Sequence, residues 1–146
     1  MNKIQKLNLI NASFILGSFI LCFINNYLGH KYPPFSISKT PVFIGLVATG
    51  ILYFTHFKFF IKLCWISFFF LLNDILIKIY AGGSHDAEGL GWISFFEFLA
   101  LLLAIFISFM YRSTREKIPL KTFLGQIAIC TFFILLSQSL YTENIY

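Results

Sequence analysis

The sequence predicts an all-α polytopic bundle of transmembrane helices, and three observations lead there. First, 58% of the 146 residues are hydrophobic and only 12% are charged, where a soluble domain carries about 25% charged. A surface so poor in charge faces lipid rather than water. Second, apolar runs of about 20 residues recur along the chain, the length a helix needs to cross hydrocarbon. Third, the cations lie between those runs and collect on alternate sides, the pattern that sets membrane topology. The mean hydropathy of +0.81 and the 20 Phe agree with such a bundle.

The spans read as 9–28, 41–57, 59–80, 91–111 and 120–141, all within one integral-membrane domain covering 1–146. The first follows a basic start, as in a signal peptide. Its apolar run is long and lacks a small-x-small cleavage motif, so it is expected to be retained. The second is short for a full crossing, and a re-entrant 41–57 would leave four spans. Pro41 and Pro119 suit first-turn positions. The stretch 31–35 contains Pro33 and Pro34 and reads as a loop. Lys58 and Lys62 argue for a water-facing turn between spans two and three, and so for five spans.

With five spans, eight of the 11 cations fall on one side: Lys3, Lys6, Lys58, Lys62, Arg112, Arg115, Lys117 and Lys121. Lys31, Lys39 and Lys78 fall on the other. The first side is expected to be cytoplasmic. That puts the N-terminus inside a cell inner membrane, and the C-terminus and the loop 81–90 outside.

The net charge of +5 comes without any basic run interleaved with exposed aromatics, so nucleic acid is not an expected partner. Cys22, Cys64 and Cys130 each sit in an apolar segment with no CxxC, which excludes a thiol metal site or a disulfide framework. Expected partners are the bilayer and other membrane subunits or a second copy of the chain.

Small and polar residues at helical spacing mark the faces expected to look inward. They are Asn11, Ser18, Cys22 and Asn25 in span one, and Gly45, Thr49, Tyr53 and His56 in span two. Span three has Ser67, Asp74 and Lys78. Span four has Ser94, Glu97, Ala104 and Ser108, and span five has Gly125, Ala128, Thr131 and Gln138.

The chain has six carboxylates, and four of them lie close together: Asp74, Asp86, Glu88 and Glu97. Asp74 is six residues before the end of span three and Glu97 six after the start of span four. Both then sit about 9 Å below the same boundary, where the hairpin brings them face to face. His85, Asp86 and Glu88 hang above, in a loop that Gly82, Gly83, Gly89 and Gly91 leave free to fold back. Trp92 is placed as an interfacial anchor.

Four chemistries compete for this cluster. In the plainest, Asp74 pairs with Lys78 one turn on and the loop is solvated. In the second, Asp74 and Glu97 at one depth hold a proton or a cation. In the third, His85, Asp86 and Glu88 ligate a divalent metal, the one cofactor these residue types admit. In the fourth, His85 serves as a general base toward a lipid. Ser84, His85 and Asp86 are adjacent, however, and cannot form a triad. The expected function is a binding or accessory subunit of a larger membrane assembly, contacting its partner through the acidic loop 82–91. The alternative is a small transporter or ion-coupled protein using Asp74 and Glu97. A membrane-embedded enzyme acting on a lipid stands third, and enzyme activity is the less expected outcome.

Overall fold

The computed structural model describes residues 2–80 and 87–142; at 33–36, 80, 87–90 and 140–142 it describes the backbone alone. Five helices make up the described chain: α1 (Lys3–Lys31), α2 (Pro33–Phe54), α3 (Phe59–Tyr80), α4 (Ala87–Thr114) and α5 (Leu120–Thr142). All five are long and apolar enough to cross a membrane. Large hydrophobics such as Leu16, Phe23, Phe98, Phe106, Phe132 and Phe133 are exposed, which is the surface a lipid solvent calls for.

Two expectations about α2 need correction. The Pro33–Pro34 pair does not make a loop. It opens the helix at its first two positions, where a missing N–H costs nothing. The α1–α2 turn shrinks to Tyr32, whose N–H donates to the Leu28 carbonyl at 2.8 Å. Pro41 then falls inside α2 instead of opening it. The apolar stretch of this helix runs Ile37–Phe54. It is long and apolar enough to cross, so its length does not call for a re-entrant segment.

α2 is the central element. It packs against α1, α3 and α4, while α1 also meets α3 and α5 leans on α3. Small residues let α2 and α4 approach. Gly45 is so close to α4 that an added Cβ would stand 2.8 Å from a Leu103 methyl carbon, and Ala48, Ala100 and Ala104 are buried alongside. Among the described residues α3 and α4, consecutive in sequence, make few close backbone approaches, and side chains bridge them.

The interior stripes hold for Asn11, Ser18, Cys22 and Asn25, and for Asp74, Lys78, Glu97, Ala104 and Ser108, all buried. They fail for Thr49, His56, Ser94, Gly125 and Ala128, which are exposed. α5 keeps half-buried Gln138 of its stripe inward and adds Phe123 and Ile134. Bulk and hydrogen bonding, rather than small size, set its rotation.

The helix ends form two polar layers. We call the end with the α1–α2 and α3–α4 junctions the upper end and the other the lower end. At the lower end Lys62 is 4% exposed, against the expectation of a water-facing cation. Its Nζ donates to the Leu52 carbonyl and to the Tyr111 hydroxyl, each at 2.8 Å. α2 has no basic residue in its own last turn, and Lys62 supplies the charge that its carbonyl end favours. Asn11 Oδ1 accepts from the His56 N–H at 2.8 Å, which closes the short α2–α3 turn. The Phe123 ring then stacks on Phe59 at 5.4 Å and meets Phe109 edge-on at 4.7 Å. That aromatic lock ties α3, α4 and α5 together at the lower end.

Candidate functional site

The upper layer draws a polar side chain from every helix. Asn73 of α3 is at its centre and is 1% exposed. Its Oδ1 accepts from Asn25 Nδ2 at 3.0 Å and Asn26 Nδ2 at 3.3 Å, both on α1. Its Nδ2 donates to Thr40 Oγ1 of α2 at 3.4 Å. The Asn73 amide is satisfied at both ends inside the bundle, as lipid requires, while Asn26 Oδ1 is buried without a hydrogen-bond partner among the described residues.

The charged part lies one residue further along. Lys78 Nζ is 2.7 Å from Asp74 Oδ1 and 2.9 Å from Oδ2, so the pairing one turn apart is present and clasps both oxygens. Glu97 of α4 lies beside Asp74. Gln138 of α5 donates from Nε2 to Glu97 Oε2 at 2.8 Å. Asp74, Lys78 and Glu97 are 2%, 8% and 5% exposed. Glu97 Oε1 receives no hydrogen bond from a donor among the described residues. Two carboxyl oxygens in contact satisfy each other only with a positive charge between them, a proton or a cation.

A cleft of about 180 Å³ opens beside this cluster, between α3, α4 and α5. Lys78, Glu97 and Phe70 form its buried back wall; exposed Ser94, Phe98 and Leu135 form its rim. The same three helices enclose a groove of only about 30 Å³ lower down, beside Ala104 and Ser108. The helices are locked below by Phe123 and part above. Below the cluster the interior is apolar, with Phe69, Ile66, Leu63, Ile44 and Val47 all buried. Ser108 there bonds back to the Ala104 carbonyl of its own helix.

The structure therefore brings Asp74, Lys78 and Glu97 together. His85 and Asp86 lie outside the described residues. Glu88 falls in the first turn of α4, but its side chain is not among those described, so the metal reading on these three residues stays open. Among the described residues no group of three His, Cys, Asp or Glu could hold a metal. Asn26 and Thr40 carry no assignment from the sequence, and Gln138 only a place on the inward face of its span. Asn26 sits beside Asn25 in an apolar run, a doubled amide that was legible as a signal. The partnership of Gln138 with Glu97 and of Thr40 with Asn73 depends on how helices far apart in sequence pack.

The fold and site define a class: an all-α protein of membrane-span-type helices with a buried charged cluster at one end. Comparison with family models, with characterised proteins and with solved structures finds no match. The class rests on the geometry alone.

Proposed function

We propose that this chain is a binding protein of the membrane, holding a ligand at the Asp74–Glu97 pair and serving as a small accessory component of a larger membrane system. One observation carries the reading: two carboxyl groups on different helices meet in a buried cluster with Lys78 as counter-charge, at the back of a cleft. Intramembrane acids are expensive to keep and usually functional. The upper end, with the loop 81–90, is assigned to the outside by the distribution of cations.

Transport coupled to a proton or cation draws on the same pair and is the second reading. It ranks lower because the apolar stretch between Asp74 and Lys62 offers no continuous polar path. A lipid-directed enzyme ranks third, its only general base candidate being His85.

An apolar carbodiimide tests the reading, because it reacts with a protonated carboxyl that is reachable from lipid. Peptide mapping by mass spectrometry is expected to find the adduct on Glu97 or Asp74, and to lose it in Glu97→Gln. Absence of an adduct on both residues in the folded protein would overturn the site. Native mass spectrometry from the source membrane tests the accessory role: a heteromeric mass is expected, and a bare monomer argues against it.

A further inference from the structure

We infer that the cleft between α3, α4 and α5 is a site for a small organic ammonium, an amine with an apolar body that enters from the lipid side and takes the place of a proton on the Asp74–Glu97 pair. This names the ligand class of the site proposed above and rests on that reading.

Lys78 clasps Asp74, with Nζ 2.7 and 2.9 Å from the two oxygens. Glu97 lies beside Asp74, and its hydrogen-bond donor, Gln138, is neutral. From α1 and α2 the layer receives the neutral side chains of Asn25, Asn26 and Thr40. With both carboxyls ionised, Asp74, Glu97 and Lys78 together carry one negative charge in excess. A buried site of low dielectric favours neutrality, and one proton or one monocation restores it. An anion would leave the excess in place, and a divalent cation would reverse it.

Geometry then selects among monocations. Glu97 lines the cleft, is 5% exposed and has an Oε1 with no hydrogen-bond donor among the described residues. That is an acceptor awaiting an N–H. Apart from the polar Lys78, Ser94 and Gln138, the remaining wall is Phe70, Phe98, Leu101 and Leu135, which suits carbon rather than the water shell of a metal ion. Aromatic faces also attract an ammonium. The rim is made of exposed residues of α4 and α5, so entry is sideways. At about 180 Å³ the cleft is smaller than the roughly 300–1,000 Å³ of sites for drug-sized ligands. It takes one ring or a short branched chain.

Exchange balances as follows. The ammonium donates its N–H to Glu97, and the proton shared by the carboxyl pair leaves to solvent. The cluster stays neutral throughout.

The test is calorimetric titration of the purified full chain in a neutral detergent with benzylammonium, benzyl alcohol and benzoate. These probes share a body and differ in charge. Benzylammonium is expected to bind at least about tenfold more tightly than either of the others. Repeating the titration in buffers of different ionisation enthalpy should read about one proton released per ligand. Glu97→Gln should abolish the preference. Leu135→Trp, which fills the cleft from an exposed rim position without touching the carboxyls, should abolish binding while leaving the fold intact. Equal binding of benzyl alcohol, tighter binding of benzoate, or no proton release would each overturn the inference. A carbodiimide adduct on Glu97 with no ammonium preference would defeat this inference alone. Absence of the adduct would defeat the underlying site.

Discussion

Placing Asp74 within a span costs about 2.5–3.5 kcal/mol by insertion scales, and what offsets it is Lys78 one turn away. Removing one partner strands the other. Asp74→Asn is expected to cost about 3–5 kcal/mol of stability, as breaking buried pairs does. Asp74→Leu combined with Lys78→Met should recover most of that loss, and a double-mutant cycle followed by unfolding in detergent checks it. Asn73 joins three helices by three hydrogen bonds. At about 0.6 kcal/mol each in membranes, Asn73→Leu should cost about 2 kcal/mol in the same assay. The Asp74–Lys78 pair was legible in the sequence because its partners share a helix. The depth match of Asp74 and Glu97 was legible too, because both count from one hairpin. Gln138 was legible as an inward-facing polar residue, but its partner Glu97 depends on how α5 packs against α4, which local spacing does not encode.

At the scale of elements, close approach and capping decide the outcome. Gly45 faces Leu103 across α2 and α4, so Gly45→Leu should wedge them apart at about 1–3 kcal/mol, as overpacking does. Gly17 and Gly125 have nothing within 4 Å of an added Cβ. Gly17→Ala and Gly125→Ala should stay within about 0.5 kcal/mol of the parent. Melting curves of the three variants separate a packing glycine from a surface one. Lys62 holds the Leu52 carbonyl, so Lys62→Met should free the end of α2. Hydrogen exchange at residues 52–58 should then rise while α5 stays unchanged. The presence of five helices was readable from apolar length. Their starts were not, because Pro33 and Pro34 signal a loop or a first turn equally well until packing chooses. Lys62 was misjudged for a related reason: a cation beside a turn reads as solvated, while here it completes another helix.

For the whole molecule, a lower end locked by Phe123 and an upper end opened by the cleft make one bundle with two different ends. Five crossings would put Lys3 and Thr142 on opposite membrane faces, so reporter domains fused before Lys3 and after Thr142 should report opposite compartments. The central claim is that the Asp74–Glu97 pair holds one removable positive charge in its resting state. Infrared spectroscopy of the purified protein in neutral buffer tests it most directly, through the carbonyl stretch of a protonated carboxylic acid. The account predicts one such band, shifted in heavy water, lost in both Asp74→Asn and Glu97→Gln, and bleached by benzylammonium. A spectrum without the band, or a band that survives in both variants, would contradict it.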